Sequence, residues 1–425
     1  MAAERLGARE SRKSPPAKDA PLAPGAIVSA ATDAAKDGAP WVSEPVAYDG
    51  ILLASFGGPE AQDEVIPFLR NVTSGRGIPD ERLEEVAVHY RHYGGVSPIN
   101  AQNRELKAAL EAELARRGVE LPVYWGNRNW APYVSEALAE AHEAGATRLL
   151  ALATSAYSSY SSCRQYREDF ADALEDTGLQ GVVEIDKVRQ FFDHPGFVEP
   201  FVEGLVAAIE ELRAADGALD ATGIEVLFTT HSVPTDDAGR SGPESRGFGE
   251  GGAYAAQHLA VAEAVVERAL AVFGERGTAD AVLGEADGLN WELVYQSRSG
   301  PPSQPWLEPD INDVIAELPE RGRRAVIVVP VGFVSDHMEV LWDLDNEAKQ
   351  SAEEAGLAFA RTPTPGVHPA YVAGLVDLVL ERVRGVPKGE RPACTPLGPW
   401  YDVCRAGCCE NARLGFRPAV AGLQP

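Results

Sequence analysis

No run of apolar residues in this 425-residue chain approaches the ~20 needed to cross a bilayer as a helix, so a membrane protein of the helical kind is excluded. Basic residues are few. Lys and Arg number 38 against 64 Asp and Glu, a formal net charge of -26. A surface of that sign repels nucleic-acid phosphates and anionic lipid headgroups, which excludes general nucleic-acid binding. Cysteine is equally sparse: Cys163, Cys394, Cys404, Cys408 and Cys409 are all there is. Five thiols in so long a chain do not make a secreted disulfide framework. Residues 2–45 contain no continuous apolar segment of the kind a secretory signal needs, so the expected compartment is the reducing cytoplasm. There is no P-loop and no G-x-S-x-G. Gly247, Gly249 and Gly252 fit G-x-G-x-x-G, but they follow a polar loop rather than a strand, so no dinucleotide site is expected there.

What is present is the composition of a globular protein, 45% hydrophobic and 24% charged. Residues 1–46, rich in Ala, Pro and charge, bury too little to offset chain entropy and are expected to be disordered. From Tyr48, short apolar runs alternate with helical patterns. Strands are expected at 50–55, 122–126, 147–153, 182–188, 224–229, 291–296 and 325–331, apolar enough to be covered on both faces. Helices are expected at 103–117, 134–144, 200–214, 254–273 and 369–384. This alternation predicts an α/β fold with parallel sheets. Two similar lobes follow, at 47–190 and 191–385. Whether the final helix crosses back to the first lobe stays open. Residues 386–425 form a Pro-, Gly- and Cys-rich tail with too little periodicity to fold without a staple.

Four groups of residues carry chemistry. His231 ends the strand at 224–229 within Thr229-Thr230-His231-Ser232-Val233-Pro234, where ligands bind in open α/β sheets. Its imidazole suits a proton acceptor or a metal ligand, though a packed structural histidine is the bland alternative. Glu339, Asp343 and Glu347 recur every fourth residue after the strand at 325–331 and would stack on one helix face. Such a row repels itself unless a cation sits beside it, and its oxygens suit hard divalent ions; the bland alternative is a solvated acidic face. The tail cysteines Cys394, Cys404, Cys408 and Cys409 lack the C-x-x-C pairs that zinc prefers. An iron–sulfur cluster tolerates looser spacing, with Cys163 reaching in from the body. Phe56-Gly57-Gly58-Pro59, Gly94-Gly95-Val96-Ser97-Pro98 and the tyrosines 157, 160 and 166 could ring a cleft for a large apolar ligand.

These segments together resemble the ferrochelatases, of the actinobacterial type. The resemblance runs from about Tyr48 to Arg384 and is carried by Leu52–Pro59, Tyr93–Asn100, His231–Pro234, Tyr295–Pro309 and Pro330–Glu347. It implies two Rossmann-like lobes of the chelatase fold with a tetrapyrrole cleft between them. It implies an enzyme, a lyase of haem biosynthesis, that inserts Fe2+ into coproporphyrin III to give coproheme; protoporphyrin IX is the alternative substrate. A porphyrin or haem carrier with an iron–sulfur sensor tail is the non-enzyme alternative. By position, His231 and Glu339 match the metal-binding, proton-accepting pair, and Asp343 and Glu347 match the acidic iron path. Ser97 and Tyr166 match porphyrin contacts, with Phe56 and Arg76 beside them. Phe56 stands where some relatives carry a Tyr. A basic pair of some relatives appears as Thr73-Ser74. The tail resembles that of members with a 2Fe-2S cluster, whose ligands would be Cys163, Cys394, Cys404 and Cys409, or Cys408 in place of Cys394. The implied partners are the tetrapyrrole, Fe2+ and, transiently, neighbouring enzymes of the pathway, without nucleic acid or stable membrane insertion.

Overall fold

A computed structural model describes residues 41–75, 77–243, 247–300, 303–404, 408–410 and 417–422. It contains two parallel four-stranded sheets. In the first, β1 (Gly50–Ser55), β2 (Val123–Asn127), β3 (Arg148–Ala153) and β4 (Glu184–Lys187) lie in the order β2-β1-β3-β4. In the second, β5 (Ile224–His231), β6 (Asn290–Gln296), β7 (Ala325–Val329) and β8 (Ala358–Arg361) repeat that order as β6-β5-β7-β8. The protein is therefore α/β with two similar sheets, as the alternation predicts. Each half places its first strand at the centre of its sheet, so the residues leaving β1 and β5 occupy equivalent positions.

The strands are legible because both faces are buried. Along β1, Ile51 and Leu53 enter one core while Leu52 and Ala54 enter another on the opposite face. Along β5, Val226 and Phe228 alternate with Leu227 in the same way. Full burial of each large side chain stabilises by ~1.5–3 kcal/mol, so a one-residue slip in register is strongly disfavoured. The inner faces of the two sheets share one core. Helices α1 (Val65–Val72) and α2 (Asp80–His92) stand apart on the first lobe with a small core of their own around Phe68. The shared core is filled by α3 (Ile99–Arg116), α6 (Pro195–Ala215), α7 (Gly252–Glu275) and α10 (Pro369–Val383). Helices α4 (Val134–Glu143) and α5 (Gln165–Thr177) cover the outer face of the first sheet. In the second, α8 (Ile311–Glu317) and α9 do so; α9 runs as Met338–Val340, a π-helical stretch Leu341–Ala348, and Lys349–Glu354.

Helix α10 does cross back. The guanidinium of Arg382 bonds Tyr48 Oη (2.9 Å), Asp186 Oδ2 (3.1 Å) and the Lys187 carbonyl (3.3 Å), all in the first lobe. Order begins before Tyr48, contrary to the expectation for 41–46. Val42 and Val46 are buried, the Val42 amide donates to Asp402 (2.6 Å), and Trp41 Nε1 donates to the Trp400 carbonyl (3.1 Å). These contacts come from the far end of the chain and leave no local signal. Residues 1–40 lie outside the described residues. No described helix is long and apolar enough to cross a membrane.

One buried ion network joins the lobes to the tail. Arg189, fully buried, pairs with Asp193 and with Glu381 (2.8 Å) and donates to the Pro392 carbonyl (3.0 Å). Arg391 pairs with Asp402 (2.7 Å) and donates to the Val42 carbonyl (2.6 Å). Asp193 also accepts the Trp400 amide (2.8 Å). Removing a single partner leaves buried carboxylates uncompensated. Arg189→Met is expected to destabilise the fold by about 3–5 kcal/mol in reversible denaturant unfolding; a change below ~1 kcal/mol would mean the network is not what seats the tail.

Candidate functional site

Two segments that follow sheet strands meet across the molecule. Tyr157, beyond β3, donates from its hydroxyl to the Val331 carbonyl beyond β7 (2.9 Å). Gln102 accepts the Asp336 amide (2.9 Å), and Tyr93 Oη donates to the Leu341 carbonyl (3.2 Å). The carboxyl ends of the two sheets thus face a common region. This is where open α/β sheets bind ligands.

His231 is the last residue of β5. Its Nδ1 meets the Ser232 carbonyl, which fixes the proton on Nδ1 and leaves Nε2 as the acceptor. Nε2 lies 3.8 Å from Glu339 Oε1, with the two side chains 31% and 50% exposed. A lone pair and a carboxylate facing each other repel unless a proton or cation comes between them. The pair is therefore built to receive one. The strand end is held from behind. Tyr254 Oη bonds both the His231 carbonyl (2.8 Å) and Thr230 Oγ1 (2.8 Å). A Cβ at Gly332 would overlap Thr230 Oγ1, so the chain beyond β7 can pass only as glycine.

Glu339 opens α9. Asp343 follows in the π-helical stretch, where Ser297 Oγ donates to it and Gln296 Nε2 lies 3.3 Å away. Burial, opposed by the Ser297 hydroxyl and reinforced by the charges of Glu339 and Glu347, pushes its pKa up to about 7. A carboxyl poised there can trade a proton for a cation near neutrality. Glu347 is exposed and accepts Trp342 Nε1 (2.7 Å). The acidic row does share one helix, but the helix is widened by i→i+5 bonding where four-residue spacing predicts an α-helix. Such π segments recur at functional sites. His337 was missed by the sequence reading. Its Nδ1 lies 4.0 Å from Glu339 Oε2, and burial holds its pKa down. In the segment Pro330–Glu347 it stands beside Asp336 and two residues before Glu339, and that proximity is the signal the sequence carries.

The first lobe supplies a different surface. Phe56, just past β1, is 39% exposed, with its ring against Phe68 at 6.5 Å. Ser97 and Tyr166 are each only 4% exposed. The Ser97 amide donates to the Pro59 carbonyl (2.9 Å), and the Arg128 guanidinium lies over the Tyr166 ring at 4.6 Å. The same guanidinium lies 6.0 Å from the centre of the Phe56 ring, linking Tyr166 to that side chain. Arg76 lies outside the described residues. Among the described residues, no three His, Cys, Asp or Glu side chains are arranged to hold a single metal ion.

A ferrochelatase family profile matches residues 48–383, more than three quarters of the chain. The chain belongs to the ferrochelatase family. Curated relatives agree in sequence along nearly their whole length. The coproporphyrin III ferrochelatase of Leifsonia xyli subsp. xyli is 68% identical over 93% of this chain and 99% of its own. That of Tropheryma whipplei is 56% identical over 89% and 93%, and that of Streptomyces griseus subsp. griseus 51% identical over 89% and 97%.

The ferrochelatase profile includes Cys163 and ends before the other four cysteines. Cys163 sits in a π-helical turn, Tyr160–Arg164, whose start is capped by Ser159. Its Sγ is 3.9 Å from Cys404 Sγ, and Cys408 and Cys409 have their sulfurs 3.8 Å apart. Hydrogen bonds from Cys163 and Cys408 hold the Cys404 thiol well below the ordinary range. The buried Arg167 guanidinium interacts with the charge of all four thiols. Gly242 N donates to Cys409 Sγ (3.2 Å). Cys394, expected among the cluster ligands, lies elsewhere. Its Sγ donates to the Asp193 carbonyl (3.3 Å), and burial pushes its pKa up to about 11. The reason is the ion network around Arg189, which ties the tail's first residues to Asp193 and carries Cys394 with them.

Proposed function

We propose that this ferrochelatase inserts Fe2+ into coproporphyrin III to form coproheme, in the cytoplasm. The observation that carries the iron-insertion chemistry is the His231–Glu339 pair, 3.8 Å apart at the head of an acidic helix. The relatives' names support the choice of tetrapyrrole.

A free porphyrin must lose two pyrrole protons as the metal enters, so a base has to stand at the macrocycle's nitrogens. His231 Nε2 is the acceptor. Glu339, across from it, receives the iron and then the second proton. Fe2+ arrives hydrated and sheds water stepwise onto carboxylate oxygens, from Glu347 at the exposed end through Asp343 to Glu339. Asp343 gives up its proton as the cation reaches it, which keeps the path from accumulating charge while empty. Phe56 offers an apolar face to the ring and, having no oxygen, does not ligate product iron. Ser97 and Tyr166 are the hydroxyl-bearing candidates for propionate recognition, with Arg76.

Four thiols near one another, two pairs at 3.9 and 3.8 Å, fit the edge of a sulfur tetrahedron with metal–sulfur bonds of ~2.3 Å. Together with the buried Arg167 charge, this supports a 2Fe-2S cluster held by Cys163, Cys404, Cys408 and Cys409. When bound, it supplies a covalent staple between tail and body and a one-electron redox couple.

The test is anaerobic turnover of purified protein with Fe2+ and either coproporphyrin III or protoporphyrin IX, following loss of free-porphyrin fluorescence and the product spectrum. Coproporphyrin III is expected to turn over at least tenfold faster by kcat/KM. Faster protoporphyrin turnover would move the enzyme to a different tetrapyrrole, and tight binding without insertion would make it a carrier.

A further inference from the structure

We infer that Trp342 is a positioning residue for the iron path: its indole N–H holds the Glu347 carboxylate, and α2 of the first lobe holds the indole. The inference rests on the reading of Glu347 as the path's outer station.

The geometry begins with the π-helix. Five residues along an α-helix, side chains point ~140° apart and cannot meet. With i→i+5 bonding, the fifth residue comes round to lie one turn above the first. Trp342 and Glu347 are five apart within the π-helical stretch Leu341–Ala348, and the indole nitrogen reaches Glu347 Oε1 at 2.7 Å. The widened helix thus gives Glu347 a neighbour that ordinary helical geometry would deny it.

The donors along this helix are of two kinds. Asp345 is matched by a guanidinium, with Arg361 Nε and Nη2 at 2.5 and 3.0 Å from its two oxygens. Its charge is spent. Asp343 is held by the Ser297 hydroxyl and the Gln296 amide, and Glu347 by the indole N–H. All three of these donors are neutral. A neutral donor orders a carboxylate without cancelling its charge, and it leaves the second oxygen of Glu347 for a cation. A long glutamate side chain otherwise loses considerable rotamer freedom whenever it binds. Fixing it in advance lowers that cost.

The indole is itself fixed from the opposite lobe. The His89 ring stacks on it with centroids 4.1 Å apart and planes at 6°, and His92 meets it edge-on at 5.6 Å. One residue beyond α2, Tyr93 Oη bonds the carbonyl of Leu341, the residue before Trp342. The first lobe therefore sets the orientation of an acidic side chain in the second.

The experiment compares wild type, Trp342→Phe, Glu347→Gln and the double variant in anaerobic steady-state assays, varying Fe2+ and coproporphyrin III separately, with thermal melting as a fold control. Phe keeps an aromatic face for the stack and removes the N–H together with the pyrrole ring that carries it. Trp342→Phe is expected to raise KM for Fe2+ about threefold to tenfold, the size of one ordinary net hydrogen bond, with kcat and the tetrapyrrole KM within twofold. The double variant should be no worse than Glu347→Gln alone. If Glu347→Gln raises the Fe2+ KM and Trp342→Phe does not, or if the two effects multiply, Trp342 does not act through Glu347 and the inference fails alone. If Glu347→Gln leaves the Fe2+ KM unchanged, the outer station itself is misassigned and the inference falls with it.

Discussion

His231→Ala is expected to lower iron insertion at least about 100-fold while tetrapyrrole affinity stays within about threefold. A positioned general base contributes ~10²–10⁴ in rate, and this reaction needs proton removal from a ring that cannot otherwise take up the metal. His231 also faces Glu339 across 3.8 Å, so its loss removes a metal contact together with the base. Affinity should survive because, in the proposed reading, the ring's apolar faces pack at the exposed Phe56 of the other lobe and not at His231. Anaerobic turnover and porphyrin fluorescence titration on the same preparation read the two quantities. The strand end is held by Tyr254 through the His231 main-chain carbonyl, so the substitution leaves that support in place. Retained turnover would falsify the assignment of His231. A parallel collapse of porphyrin binding would instead mean that His231 shapes the cleft.

Why was so much of this site visible in the sequence? His231 ends a strand whose other seven residues are all buried, and a strand covered on both faces reads as a continuous apolar run whatever its surroundings. Each of the seven expected strands is present, with ends shifted by no more than two residues. The eighth, Ala358–Arg361, was missed because it is a half-exposed edge strand of four residues without such a run. Helix α2 was missed for a related reason: only Leu83 and Ala87 are buried along its 13 residues, too few to mark an apolar face. Helix α6 begins at Pro195 and not at Pro200, since His194 and Pro195 already supply a cap and a first turn. The site's chemistry was legible where residue types cluster in sequence, as in the acidic row. It was illegible where it depends on main-chain bonding or on the other lobe. The π-helical widening of Leu341–Ala348 and the stacking of Trp342 on His89 have no local signature. The position of Cys394 depends on an ion network spanning more than two hundred residues.

The cysteines provide the second large expected effect. If the proposed cluster is present, Cys163→Ser and Cys408→Ser should each abolish its visible absorption and the acid-labile sulfide that accompanies it, whereas Cys394→Ser should keep both. The resemblance puts Cys394 in the ligand set, with Cys408 as its alternative. The packing separates them, because Cys408 lies beside Cys409 and within hydrogen-bonding reach of Cys404, while Cys394 is occupied with the Asp193 carbonyl. Arg167 sharpens the expectation. A buried guanidinium that faces four thiols is compensated only when thiolates are there to meet it. Losing the cluster should therefore also loosen the tail, whose residues 403 and 420 pack in two different cores. Limited proteolysis of the Cys163→Ser protein is expected to cut within 404–425 at least tenfold faster than in wild type. A Cys408→Ser protein with a full cluster, beside a Cys394→Ser protein without one, would reverse the ligand set and place Cys394 on the cluster after a rearrangement of the Arg189 network.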